Sequence, residues 1–232
     1  MQLVILAAGR GTRMAPLTET VPKPMVPILG KPKLQYTLDN LPKAITEIVV
    51  VVGYLGKKIS DFFGDEYEGR SIKYVLQKDL NGTAGAILAC RELLKDHFLV
   101  IMGDDFYLES DIEKMVQEDL AILANRVSAG TTGAKIVMDE NNNLVEIVES
   151  FDPRNSKIKS NLINTGCYRL NKNYFNYQPV AISDTEFGLP QTMVQMLSDY
   201  PIKIIETDKW FPLSRVEDVV TAEKIAKDFF RF

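Results

Sequence analysis

The stretch Leu3-Val4-Ile5-Leu6-Ala7-Ala8-Gly9-Arg10-Gly11-Thr12-Arg13 decides the fold class of this chain. Its first four residues are an apolar run that predicts a buried parallel strand. The run leads directly into a loop with two glycines, a threonine and two arginines. Small residues let backbone N–H groups approach a ligand closely, and successive N–H groups form a concavity that holds anions. Because Arg13 and Lys23 add positive charge, this segment predicts a polyphosphate site at the carboxyl end of the first strand.

Apolar strands and amphipathic helices alternate through the first half of the chain. The predicted strands after the first are 48–52, 72–77 and 98–102, and the predicted helices are 56–63 and 83–94. This alternation indicates a three-layer α/β/α sandwich with a mixed, mainly parallel central sheet. Ligands of such sheets bind outside the carboxyl ends of the strands. The glycine loop, Gln77 and Asp104 all fall there in the predicted arrangement.

The second half has a different pattern. Asn141-Asn142-Asn143 predicts a turn between strands 134–138 and 144–148. The further predicted elements are a surface loop at 151–160, strands 162–170 and 202–206, and helices 189–197 and 217–230. No stretch reads as an interdomain linker, so we expect residues 1–232 to form a single domain. Hexapeptide repeats of a trailing β-helix are absent from the sequence, so no appended acyltransferase domain is expected.

Composition excludes several classes of protein. A net charge of −4 argues against a general nucleic-acid binder, which needs a basic face. No apolar run is long enough for a membrane span, and the first residues read as a core strand, so we expect a cytoplasmic protein. Cys90 and Cys167 lie in apolar segments and are expected to be buried free thiols. The single histidine, His97, makes a histidine-based metal site or general base improbable.

Three families of proteins with glycine-rich loops are candidates for the first segment. The dinucleotide pattern requires a third glycine where Met14 stands, and the P-loop requires a Gly-Lys pair that the loop lacks. The third family fits. The order Leu6-Ala7-Ala8-Gly9-x-Gly11-Thr12-Arg13-x-x-Pro16-Leu17-Thr18, then Pro22-Lys23-Pro24 and Gly30-Lys31-Pro32, resembles the signature of the sugar-1-phosphate nucleotidylyltransferases.

The resemblance implies a Rossmann-like fold of the glycosyltransferase-A-like nucleotidyltransferase type. It implies an enzyme that joins a nucleoside triphosphate to a sugar 1-phosphate, with Mg²⁺ as cofactor and no nucleic-acid or membrane partner. Residues 1–107 would be the nucleotide-binding half and residues 108–232 the sugar-phosphate-binding half. Self-association through Phe229-Phe230-Arg231-Phe232 is left open, with core packing preferred for this terminus.

The positions that match the family's motifs give the predicted site residues. Asp104 follows the predicted strand 98–102 in the sequence Met102-Gly103-Asp104-Asp105, and the resemblance assigns it to the metal. A carboxylate beyond a strand end suits Mg²⁺. The implied catalytic residues are Arg13, Lys23 and Asp104. The implied nucleotide-binding residues are Leu6, Ala8, Gly9, Gly11, Thr12, Gln77, Gly82 and Thr83. The implied sugar-phosphate-binding residues are Glu149, Asn164 and Thr165.

Two positions depart from the family's pattern. The lysine of the family's E-K-P element is Ser150 here, and Lys157 or Lys159 is a candidate replacement. The aspartate that serves as second metal ligand in the family is Pro212, for which Asp208 is a candidate substitute. Weakened catalysis is a further interpretation of the change at Pro212.

The sequence favours UTP or dTTP as the nucleotide. Ala7-Ala8 resembles family members that use these nucleotides, and the amide of Gln77 can both donate to and accept from the edge of uracil or thymine. Two alternatives remain. One is a cytidylyltransferase for phosphocholine or a related phospho-alcohol. The other is a regulatory protein that binds a nucleotide-sugar with reduced or lost catalysis.

Overall fold

Strands and helices are numbered in chain order in this computed structural model, which describes residues 1–230. The strands are β1 (Gln2–Ala7), β2 (Pro27–Ile28), β3 (Lys31–Pro32), β4 (Glu47–Val52), β5 (Glu66–Tyr67), β6 (Arg70–Leu76), β7 (His97–Met102), β8 (Asp105–Phe106), β9 (Ala121–Arg126), β10 (Lys135–Met138), β11 (Leu144–Val148), β12 (Leu162–Asn171), β13 (Val180–Ala181), β14 (Phe187–Gly188), β15 (Lys203–Thr207) and β16 (Phe211–Pro212). The helices are α1 (Lys33–Asp39), α2 (Gly56–Phe63), α3 (Gly82–Ala89), α4 (Glu109–Gln117), α5 (Leu189–Val194) and α6 (Asp218–Phe229).

A ten-stranded mixed sheet forms the centre of the molecule. Its parallel part has the order β7-β1-β4-β6, and the six residues of β1 pair with β4 in unbroken register from Gln2↔Glu47 to Ala7↔Val52. The long strand β12 runs antiparallel to β7 and also pairs with β9 and β10. The sheet therefore joins a parallel part to a part in which antiparallel pairs predominate.

Each face of the sheet carries its own core. Along β1, Val4 and Leu6 point to one face, whereas Leu3 and Ile5 point to the other, as the two-residue period of a strand requires. Helices α3 and α5 cover the first face, and helices α1, α2 and α4 cover the second. The predicted three-layer α/β/α sandwich is confirmed.

A third apolar cluster lies beneath the C-terminal helix. Tyr36, Phe106 and Phe230 pack ring against ring, with centroids 5.3–6.0 Å apart, and Ala222 and Ala226 of α6 close the cluster. Phe230 therefore packs in the core. The remaining two residues of the terminus considered for self-association, Arg231 and Phe232, lie outside the described residues.

Several predicted elements need adjustment. Helix α2 matches its predicted bounds, but α3 ends at Ala89, and a 3-10 turn over Arg91–Leu93 takes up the rest of the predicted 83–94 helix. Helix α5 likewise ends at Val194 and continues as a 3-10 turn. The sequence analysis did not predict α1, α4 or the buried strand β9. No helix among the described residues has the length and apolar character that a membrane crossing requires.

We expect Ile5→Ala to lower the free energy of unfolding by about 2–5 kcal/mol, because Ile5 is fully buried in the central strand and truncation leaves a cavity. Urea unfolding followed by circular dichroism measures the change. Val220→Ala is the control, since Val220 is 75% exposed on α6 and its truncation should change the free energy by no more than about 0.5 kcal/mol. Equal effects of the two substitutions would contradict the assignment of Ile5 to the core.

Candidate active site

The glycine loop leaves β1 at Ala7 and folds back on the segment that carries Lys23. Gly11 has φ +65°, in the left-handed region that favours glycine, and a Cβ there would lie 3.0 Å from Cβ of Lys23. The carbonyl of Gly11 accepts a hydrogen bond from the Thr18 hydroxyl at 2.8 Å. Gly11 is therefore needed both for the turn of the loop and for its close approach to Lys23.

A cavity of about 260 Å³ lies between this loop and the end of β7. Lys23 and Asp104 form an ion pair across it, with side chains 12% and 23% exposed. The exposed Arg13 lies on the same wall. The cavity is lined by Leu6, Ala7, Gly9, Gly11, Thr12, Arg13, Lys23, Pro24, Asp104 and Ser214. We call it the phosphate cavity, because its cations and loop suit an anion.

The turn that carries Asp104 is held from beneath by a buried lysine. Lys33 has no exposed surface, and its ammonium donates to the backbone carbonyl of Asp105 and, at 3.4 Å, to that of Gly103. Burial lowers the pKa of Lys33 to about 8. Asp105 is also buried, which raises its pKa well above the usual range, and it accepts a hydrogen bond from Nε1 of Trp210 at 3.1 Å. The sequence analysis missed Lys33, although it directly follows the quoted Gly30-Lys31-Pro32.

A second cavity, of about 450 Å³, adjoins the phosphate cavity and shares Leu6, Gly9, Arg13 and Asp104 with it. Its other lining residues are Ala8, Gln77, Leu80, Gly82, Thr83, Ala86, Met102, Ile182 and Glu186. We call it the nucleoside cavity after the predicted role of Gln77, Gly82 and Thr83. The two cavities bring together all the residues predicted to be catalytic or nucleotide-binding, and the loop between β13 and β14 adds Ile182 and Glu186, which were not predicted.

Gln77, Gly82 and Thr83 form one edge of the nucleoside cavity through contacts within the protein. Nε2 of Gln77 donates to Oδ1 of Asn81 and to the carbonyl of Gly82, both at 3.0 Å. Gly82 has φ +89°, and a Cβ there would lie 2.4 Å from the carbonyl oxygen of Phe187. The Thr83 hydroxyl accepts a hydrogen bond from the backbone of Leu189 at 2.9 Å, so it ties α3 to α5.

The residues predicted to bind the sugar phosphate lie outside the lining of the two cavities. Glu149 follows β11 and accepts a hydrogen bond from Nε2 of Gln191. Asn164 lies on β12, where Nδ2 donates to the Tyr168 hydroxyl at 2.8 Å. The bulge that follows abuts the nucleoside cavity, since a Cβ on Gly166 would lie 2.6 Å from Cγ of Met102.

Thr165 is placed differently from the expectation. Its side chain is buried, and its hydroxyl donates to the carbonyl of Leu123 in the neighbouring strand at 2.8 Å. The alternation of side chains along β12 directs this residue into the core. The predicted role of Thr165 in binding the sugar phosphate stays a prediction, and its side chain is not free to make that contact in this conformation.

Among the described residues, Asp104 contributes the carboxylate at the junction of the two cavities, and it is the predicted ligand of Mg²⁺. Mg²⁺ is usually held by one or two carboxylates together with substrate phosphates, so this donor set fits an ion shared with a triphosphate. Within residues 1–230 no cluster of three or more His, Cys, Asp or Glu side chains could hold a metal alone.

Pro212 stands where the resemblance predicts a second carboxylate. Pro212 on β16 pairs with Asp105 on β8, so this position lies directly beside the Asp104 turn. Asp208, the candidate substitute, lines a different cavity, of about 370 Å³, together with Arg126 and Glu206.

Three comparisons describe what the chain is similar to. A model of the nucleotidyl transferase family matches residues 2–199. The bifunctional protein GlmU of Methanocaldococcus jannaschii is 34% identical over 231 residues, which are 98% of this chain and 55% of that protein. A bifunctional sugar-1-phosphate nucleotidylyltransferase/acetyltransferase of Sulfurisphaera tokodaii is 35% identical over 235 residues, covering 98% of this chain and 56% of that protein. The chain thus spans about half the length of these relatives.

The fold is shared with solved structures. A UDP-glucose pyrophosphorylase in complex with UDP-glucose superposes with a TM-score of 0.80 at 22% identity, covering 97% of this chain and 98% of that one. The similarity extends through both halves of the sheet.

The partly buried carboxyl of Glu149 generates a prediction about pH. Burial raises its pKa, and the hydrogen bond from Gln191 opposes the rise only in part. A carboxyl whose pKa is raised in the folded state contributes stability that is present below its unfolded pKa and is lost as pH rises through the folded value. The difference in free energy of unfolding, wild type minus Glu149→Gln, should therefore fall as pH rises above about 4.5 and then level off. Urea unfolding at a series of pH values measures it, and a difference that rises with pH would contradict the burial of this carboxyl.

Proposed function

The chain belongs to the nucleotidyl transferase family, and we propose that it transfers the nucleotidyl group of a nucleoside triphosphate to a sugar 1-phosphate, releasing pyrophosphate. The observation that carries this proposal is the junction of the phosphate and nucleoside cavities at Arg13 and Asp104. A triphosphate in the first cavity and its nucleoside in the second would set the α-phosphate beside both side chains. We propose that the acceptor binds to residues 108–232, through Glu149 and Asn164.

The reaction needs little proton transfer from the protein. An oxygen of the sugar phosphate attacks the α-phosphorus, a new P–O bond forms, and the bond to the β-phosphate breaks with pyrophosphate as leaving group. A phosphate monoester with a second pKa of about 6 is already largely dianionic at neutral pH, so no general base is required. The work of the protein is to align two anions and to stabilise the leaving pyrophosphate.

Arg13 and Lys23 supply the fixed positive charge for this alignment. Lys23 is paired with Asp104, so an incoming phosphate competes with that carboxylate for the ammonium group. We propose that Lys23 turns toward the α-phosphate or the incoming phosphate, while Asp104 serves as the protein's ligand to Mg²⁺. When bound, Mg²⁺ would neutralise charge on the phosphate oxygens.

UTP or dTTP is the nucleotide that we favour. The Ala7-Ala8 pair resembles members that use these nucleotides, and Gln77 lines the nucleoside cavity where a base would be recognised. A protein that binds a nucleotide-sugar with weakened catalysis is the second candidate, because Pro212 removes a carboxylate beside Asp104.

A matrix of nucleoside triphosphates against sugar 1-phosphates and phosphocholine, with pyrophosphate release as readout, tests the function. We expect release with UTP or dTTP and at least one sugar 1-phosphate in the presence of Mg²⁺. Release with CTP and phosphocholine alone would instead identify a cytidylyltransferase. Tight binding of a nucleotide-sugar without any release would identify the weakened binding protein.

Arg13→Ala and Asp104→Asn should each lower kcat/KM for the best pair by at least about a hundredfold, since one lost charge-stabilising contact costs about 3–4 kcal/mol in the transition state. Circular dichroism should show that the fold is retained. Lys57→Ala is the control, because Lys57 is 83% exposed on α2 and pairs only with Asp61 among the described residues. Near-normal turnover of either site variant would refute its assigned role.

A further inference from the structure

The side-chain amide of Gln77 has a fixed orientation in the nucleoside cavity. Gln77 is 7% exposed, and both protons of its Nε2 are engaged, by the carbonyl of Gly82 and by Oδ1 of Asn81. A backbone carbonyl can only accept, so the contact with Gly82 identifies which end of the amide is nitrogen. The reversed amide would set Oε1 of Gln77 against the Gly82 carbonyl oxygen, which is repulsive.

Oε1 is therefore the polar atom that Gln77 has left for a ligand. No hydrogen bond to Oε1 is formed within residues 1–230, and Gln77 lines the nucleoside cavity. The sequence analysis expects the Gln77 amide both to donate to and to accept from the base, whereas the structure leaves only its oxygen for a ligand. Toward the cavity, Gln77 presents an acceptor.

Asn81 holds this arrangement from the side of α3. Its own position is set by its backbone, whose N–H donates to Asp79 at 2.8 Å and whose carbonyl accepts from Phe187 at 2.9 Å. Its Oδ1 lies over Gly85, where an added Cβ would be only 1.8 Å away. The absence of a side chain at Gly85 is what allows Asn81 to reach Gln77.

From these contacts we propose that Asn81 and Gly85 are positioning residues that select the nucleobase by keeping Gln77 an acceptor. The favoured class is the bases whose pairing edge carries a ring N–H, which are uracil, thymine and guanine. Cytosine and adenine present a ring acceptor at that place, and two facing acceptors leave both unpaired. An unpaired buried polar group weakens binding by about tenfold or more. This inference rests on the proposed function, since it requires a nucleotide in this cavity.

Equilibrium binding separates the two proposals, because it does not require turnover. Binding of UTP, dTTP, GTP, CTP and ATP to the full chain with Mg²⁺ and without sugar phosphate is measured by titration calorimetry. In the wild type, the best of the first three should bind about tenfold or more tightly than CTP and ATP. We call the ratio of these affinities the base ratio.

Two independent substitutions remove the same contact. Asn81→Ala deletes the acceptor, and Gly85→Ala displaces the Asn81 side chain while favouring the helix. Each removes one of the two acceptors that hold Nε2 of Gln77, while the Gly82 carbonyl still opposes the reversed amide. Each should therefore lower the base ratio by about fivefold, and the double variant should lose no more than either single variant. Asn81→Asp keeps an oxygen at this position and should retain the ratio. Leu88→Ala, a partly exposed position on the same helix, should retain it as well.

The outcomes separate cleanly. If Asn81→Ala and Gly85→Ala leave the base ratio unchanged, or if CTP or ATP binds best to the wild type, the selection mechanism is wrong and the transferase proposal stands. If no nucleotide binds to any variant or to the wild type, the proposed function falls and this inference falls with it. Should Gly85→Ala prevent folding, the comparison of Asn81→Ala with Asn81→Asp still decides the question.

Discussion

The unbroken parallel register of β1 with its neighbours is the constraint on which the site depends. Because β1, β4, β6 and β7 all point the same way, their carboxyl ends meet at one edge of the sheet. Backbone hydrogen bonds continue past the strand ends: Gly103 donates to Leu6, Tyr54 to Ala8 and Gln77 to Val52. The glycine loop, the amide edge and the carboxylate turn are thus positioned by main-chain geometry before any side chain contributes.

Charge is balanced around the carboxylate turn in an unusual way. Asp104 and Asp105 are countered by Lys23 from the cavity side and by Lys33 from the core side. Lys33 is committed to the carbonyls that flank Asp104, so it stabilises the turn while adding positive charge beneath it. The exposed Arg13 adds a further cation on the cavity side. Such a site favours an anionic ligand, and the uncharged Pro212 adds no repulsion beside Asp104.

The fold and the nucleotide side of the site could be predicted from the sequence because their signals are local. The apolar run at 3–6 leads directly into the glycine loop. Gln77 and Asp104 lie at or just beyond the ends of two other apolar strands that the sequence predicts. The acceptor side could not be predicted to the same depth. Thr165 lies next to Asn164 in sequence, but a strand reverses its side chains at each residue, and a bulge in β12 sets which one enters the core. Lys33 gave no signal, since a charged residue in a short helix normally predicts an exposed face. Strand β9 had a signal in the apolar run at 120–124.

The contacts of Gly82 and Thr83 have a mechanical consequence. The backbone N–H of Phe187 donates to the carbonyl of Asn81, and that of Leu189 donates to the Thr83 hydroxyl. The Gln77 edge of the nucleoside cavity and the start of α5 are thus hydrogen-bonded to each other. The same short helix carries Gln191, whose Nε2 donates a hydrogen bond to the carboxylate of Glu149. These hydrogen bonds join residues that are more than a hundred positions apart in the chain. We therefore expect a displacement of the cavity wall at Thr83 to be felt at α5 and, through Gln191, at Glu149.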